Sequence, residues 1–150
     1  MGEKLASEMR ESFADLYSLN EETEQVKKVI NKAIENKNDY VLKPQREGGG
    51  NNLYGDEMVE KLKSGKDLKA YILMSLIKPR PFTSFTLKES LYNQSNCTSE
   101  LGIFSVYIHD GNDEVLNQQA GFLFRTKKCD VKESGIAAGF GHLDSPYLID

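Results

Sequence analysis

Hydrophobic positions open the chain at three- and four-residue steps. In residues 4–19, Leu5, Met9, Phe13, Leu16 and Tyr17 fall on one face with charges opposite, which predicts an amphipathic helix. Asn20 is placed to cap a second helix, with Glu21, Glu22 and Glu24 at its positive end and Val26, Val29, Ile30, Ala33 and Ile34 as its buried stripe. The period then shortens. Residues 40–43 read as a strand stopped by Pro44, residues 56–63 as a short helix ended by Gly65, and residues 70–77 as an apolar strand ended by Pro79 and Pro81. Residues 82–98 show weak patterning, with one short strand at 85–87 and then a polar loop. Residues 100–108 and 115–125 form the best strand pair, joined by a turn at 109–113. Helices followed by mainly antiparallel strands predict an α+β fold, and the elements before Pro79 could form a lobe separate from the later sheet.

The 150 residues, 39% hydrophobic and 28% charged, suit one globular domain. A net charge of −4 argues against a nucleic-acid partner, which needs a basic face. No apolar run is long enough for a membrane span, and no signal peptide opens the chain, so a cytoplasmic location is expected. Cys97 and Cys129 are too few and too far apart for a disulfide framework, and with His109 and His142 they offer no zinc spacing.

The densest loop signal runs from Gln45 to Gly55. Three adjacent glycines, Gly48, Gly49 and Gly50, cost roughly 1 kcal/mol each relative to alanine, so they suit a chain that exposes successive amides as an anion nest. Lys43 and Arg46 would neutralise phosphate charge. Glu47 would repel a polyphosphate unless Mg²⁺ sits between them, and that cation commonly takes one carboxylate plus phosphate oxygens. The plain alternative is a surface turn, since neither familiar phosphate-loop signature is present. Met74, Ser75, Leu76 and Ile77 read either as core or as a strand end lining an adenine. Glu100 is an edge charge or a ribose or metal acceptor. Alternation from Phe122 and Phe124 turns Arg125 and Lys127 together to the opposite face, a two-cation surface or a solvated one.

The run YVLKPQREGGGNNLYG at 40–55 resembles the glycine-rich loop of the eukaryotic glutathione synthetases, which are ATP-grasp ligases. The resemblance continues in order through FADLYSL at 13–19, YILMSLI at 71–77, SELGIFSVYI at 99–108, RTK at 125–127, and IAAG with LDSPY at 136–147. It implies an ATP-grasp-like lobe from the carboxyl-terminal third of such an enzyme, spanning residues 1–150, with an amino-terminal helical pair and a glycine-rich lid. It also implies ATP and Mg²⁺. Lys43 would meet the nucleotide phosphates and Glu47 the magnesium. Pro44, Gln45, Arg46, Gly48, Gly49, Gly50, Asn51 and Asn52 would form the lid, with Tyr54 beside the nucleotide. Met74 to Ile77 would line the adenine, and Glu100, Lys127 and Glu133 would make further nucleotide contacts. Arg125 would grip a peptide carboxylate, supported by Ile136 and Ala137. Two departures stand out: Ser75 replaces a usual acid, and Gly141-His142 replaces a more apolar pair.

The implied reaction joins γ-glutamylcysteine and glycine through an acyl phosphate, with Lys43, Arg125 and Lys127 as its principal side chains. The family's enzymes are much longer. The alternatives are therefore a noncatalytic ATP-binding or partner-binding fragment, a homodimer, or pairing with a longer chain.

Overall fold

The computed structural model describes residues 2–46, 50–88, 90–133, 135–137 and 139–146. These fall into two compact units that divide between Lys78 and Pro79. The break coincides with the Lys78-Pro79-Arg80-Pro81 run, whose prolines cannot extend a ladder.

The first unit comprises α1 (Glu3–Arg10), β1 (Leu16–Ser18), α2 (Glu24–Glu35), β2 (Tyr40–Pro44), β3 (Leu53–Tyr54), α3 (Gly55–Ser64), a 3-10 turn at Leu68–Ala70 and β4 (Tyr71–Ser75). Its sheet runs β1-β4-β2-β3, with every neighbour antiparallel. The long first helix expected from periodicity stops at Arg10. Leu16 and Tyr17 leave the helical stripe to pair with Met74 and Leu73, so a long-range ladder overrides the local period. No residue of α1 is buried. The cap of α2 is Thr23 rather than Asn20: its Oγ1 accepts from Val26 N at 3.2 Å.

Leu19, Ala33, Tyr40, Leu42, Met58, Leu62 and Leu73 form the core, with the α2 residues Val26, Val29, Ile30 and Ile34 packed on it. Gly65 ends α3 at φ 64° with its N–H on Leu62 O, where a side chain would be strained. Pro44 belongs to β2 as its last residue, where a missing N–H costs the ladder least.

The second unit is a sheet ordered β5-β6-β7-β8, built from β5 (Phe82–Lys88), β6 (Leu91–His109), β7 (Glu114–Lys128) and β8 (His142–Leu143), again antiparallel throughout. The expected polar loop before Thr98 is instead the first half of β6. Its residues 91–97 pair with β5 and its residues 97–109 with β7, so pairing supplies what composition does not. At the β6–β7 turn, Asp110 Oδ1 accepts from the N–H groups of Asn112 and Asp113 at 2.8 Å each, and Gly111 takes φ 103°. The fold is α+β, with helices leading and antiparallel sheets following, as the sequence predicts. No helix among the described residues is long and apolar enough to cross a membrane.

Candidate functional site

In the first unit the ladder gathers several predicted residues on one sheet face. Leu16, Met74, Val41 and Tyr54 are register partners across all four strands, and Lys43 lies opposite Ile72 on the same side. The core side chains Leu42 and Leu73 occupy the reverse face. Lys43 is exposed and makes no ion pair with any described residue. Val41 is 3% exposed beneath this row. Its position in β2 would have indicated it, because it alternates with the core residues Tyr40 and Leu42.

The strand end beyond Met74 is held by backbone. Ser75 N–H donates to Asp15 O at 3.0 Å and Leu76 N–H to Asp39 O at 2.8 Å, while Ser75 Oγ donates to Asp15 Oδ2 at 3.3 Å. Lys78 is ion-paired with Asp39, and Ile77 is exposed. Burial first, and then the neighbouring Asp15 carboxylate, raise the Tyr17 phenol above its ordinary 10.0. Sequence patterning did not single out Asp15 or Asp39, since their contacts here are long-range.

The loop after β2 is anchored at its base. Gln45 N–H donates to Ala70 O at 2.8 Å and Gln45 Nε2 to Lys69 O at 3.3 Å. Arg46 Nη2 donates to Asn51 Oδ1, and Asn52 Nδ2 to Tyr54 Oη at 3.4 Å. Gly50 takes φ 79°, one of the positive angles the glycine run is suited to supply. Glu47, Gly48 and Gly49 lie outside the described residues. A cavity of about 530 Å³ is lined by Pro44, Gln45, Arg46, Gly50, Asn51 and Asn52 together with Leu53, Glu57, Ala70 and Tyr71. Pro44, Leu53 and Tyr71 belong to the core side of the sheet. The predicted residues of this unit therefore divide between this cavity and the face carrying Lys43, Tyr54 and Met74. Glu57 was missed because the first turn of α3 explains an acid there without a site.

In the second unit Glu100 and Arg125 are register partners, and Lys127 lies opposite Thr98 on the same face. Arg125 Nη2 is ion-paired with Glu100 Oε1. Lys127 Nζ donates to Lys132 O at 2.7 Å. Between the two cations, Thr126 points to the reverse face, where it is 2% exposed. There its hydroxyl donates to Asp144 Oδ2 at 2.7 Å and lies 2.6 Å from Ser99 Oγ. Asp144 N–H in turn donates to Phe124 O at 3.0 Å, which ties the terminal segment to β7. Ile136 and Ala137 sit in a turn closed by Gly139 N–H on Ile136 O at 2.9 Å, with Gly139 at φ 77°. Glu133 is half-buried just before that turn. Among the described residues no cluster of three or more His, Cys, Asp or Glu could hold a metal. A cation shared between one carboxylate and phosphate oxygens needs no such cluster.

The family described as eukaryotic glutathione synthase, ATP binding domain, matches residues 1–148. Glutathione synthetase of Bos taurus is 48% identical over 147 residues, covering 94% of this chain and 30% of the relative. That of Dictyostelium discoideum is 46% identical over 143 residues, covering 93% and 30%. The chloroplastic glutathione synthetase of Arabidopsis thaliana is 42% identical over 148 residues, covering 95% and 26%. Among solved structures, an apo glutathione synthetase-like effector (GSS30) from Globodera pallida superposes with a TM-score of 0.66 at 21% identity, over 97% of this chain and 30% of the other. That likeness supports the fold alone. The chain spans less than a third of the length of these relatives.

Proposed function

The chain belongs to the eukaryotic glutathione synthase family through its ATP-binding domain, and we propose that it is the carboxyl-terminal part of an ATP-dependent peptide-ligase site. The observation that carries this reading is the row on the first sheet. Lys43, an exposed cation entering the glycine loop, shares a face with Met74 and Tyr54, where a nucleotide could lie along the sheet.

In this reading Lys43 meets the phosphates of ATP, and the loop from Pro44 to Asn52 closes around them. Glu47 would hold Mg²⁺, which when bound would neutralise further phosphate charge. The strand end from Met74 to Ile77 lines the adenine through its backbone carbonyls and apolar side chains. Its Ser75 and Leu76 N–H groups are already engaged with Asp15 and Asp39. In the second unit, Glu100, Lys127 and Glu133 are the candidates for further nucleotide contacts that the family resemblance implies. Arg125, with Ile136 and Ala137, orients a peptide carboxylate.

The reaction is glutathione synthesis. The γ-glutamylcysteine carboxylate attacks the γ-phosphorus of ATP and ADP leaves. The amine of glycine then attacks the resulting acyl phosphate, forming the amide as phosphate leaves and the amine proton is lost. Positive charge around the phosphates and exclusion of water are what the protein contributes to such a step. No side chain serves as a covalent nucleophile. A cytoplasmic location fits this chemistry.

A second reading, a noncatalytic ATP-binding or partner-binding fragment, is favoured by the chain's spanning 30% of its bovine relative. A coupled ADP-release assay with γ-glutamylcysteine and glycine tests both. ATP binding with little turnover by the chain alone is expected of a part-site. Sustained turnover would make the 150 residues a complete enzyme, and absent ATP binding would overturn both nucleotide readings.

A further inference from the structure

One face of the second sheet exposes a group of large apolar side chains. Register places Leu101 opposite Phe124 and Ile103 opposite Phe122, so alternation sets all four on one side of β6 and β7. Leu101, Ile103 and Phe122 are 54%, 59% and 61% exposed. The patch has ends. Towards β8 the same face closes over the buried Cys97 and Thr126, and beyond Phe122 it turns polar at the pair Ser105–Gln119. Charge borders it: Asp144, whose carboxylate accepts from Thr126, lies beside Phe124 on this face, and Lys128 lies opposite Cys97. The reverse face, just beside this level, carries Glu100, Arg125 and Lys127. Large apolar side chains exposed together mark an interaction surface.

We propose that this face docks an apolar surface of the remaining portion of a glutathione-synthase-type polypeptide, whether joined to this chain or supplied separately. The inference rests on reading the chain as part of a longer ligase site. The choice of occupant follows from two observations. The chain accounts for 30% of its bovine relative, so most of that polypeptide is available to cover the face. The patch also gathers no cluster of basic residues to meet a nucleic acid or an anionic headgroup, and its exposed Leu101, Ile103 and Phe122 match an apolar protein surface. With the patch covered, the ion-paired Glu100 and Arg125 stay turned towards the ligands on the other side.

The test co-expresses this chain with the bovine glutathione synthetase polypeptide from which the matching 30% has been deleted, and native mass spectrometry reads the complex. A one-to-one complex is expected. Ile103→Glu and Phe122→Glu should each weaken it by about tenfold or more, as charges placed in an apolar interface core do. Leu87→Glu, at an exposed position on β5, should leave it within about twofold. In a second arm, a photoreactive phenylalanine analogue replacing Phe122 should crosslink to the bovine polypeptide. Absence of the complex, indifference to both glutamates, or crosslinking only to a second copy of this chain would overturn the proposal. The readout is independent of nucleotide. A complex that forms without ATP binding therefore removes the ligase reading and leaves this surface standing, and ATP binding without a complex does the reverse.

Discussion

Arg125 and Glu100 stand directly opposite each other on β7 and β6, joined through Nη2 and Oε1. Two residues that resemblance assigns to different ligands are each other's partner. Their side chains are 35% and 48% exposed, so solvent screens the pair. A double-mutant cycle with Glu100→Gln and Arg125→Gln should give a coupling of about 0.2–1 kcal/mol in urea unfolding, shrinking in high salt. Zero coupling at low salt would show that the pair contributes nothing to the fold.

Thr126 has a larger stake because its hydroxyl is buried and bonded to Asp144 and Ser99. Thr126→Val keeps the shape and strands two polar partners, which should cost about 1–3 kcal/mol. Thr126→Ser should recover much of that. Urea denaturation followed by circular dichroism is sufficient, and a Val variant as stable as wild type would exclude the clasp.

The two thiols should react very differently, since Cys97 is fully buried and Cys129 exposed. A thiol reagent should label one site quickly in the native chain, and Cys129→Ser should remove that fast phase. Two fast sites in wild type would mean that the strand around Cys97 opens readily.

Asp110 carries a pH signature. The N–H groups of Asp113 and Asn112 bond its carboxylate and hold its pKa below the ordinary 3.8. A depressed folded value means that the charged form is favoured in the turn. Its contribution to hairpin order is therefore present above 3.8 and is lost as pH falls through the lower folded value. Carboxyl-carbon NMR should show the lowered midpoint in wild type. A midpoint at or above 3.8 would contradict the turn geometry.

Much of the fold was legible wherever one signal acted alone. The α2 stripe, the Gly65 stop and the strand before Pro44 follow from local chemistry. Leu16 and Tyr17 were misplaced because their helical spacing is real, and only pairing with β4 decides against it. Residues 91–97 are polar yet extended because β5 borders them, which no local window contains. For the site, alternation correctly set Arg125 and Lys127 on one face. The Arg125–Glu100 pair needed the register, and the Thr126–Asp144 clasp needed the terminal segment folded back on β7.

The nucleotide site proposed on the first sheet depends most directly on Lys43, and calorimetric titration of ATP into wild type and Lys43→Ala, with and without Mg²⁺, tests it. The prediction is weak ATP binding by wild type that strengthens with magnesium, and a loss of about tenfold or more in Lys43→Ala under both conditions. In the same titrations Glu47→Ala should lose affinity only when magnesium is present, because without the cation its carboxylate merely repels phosphate. Equal ATP affinities for wild type and Lys43→Ala would contradict the nucleotide site on this sheet.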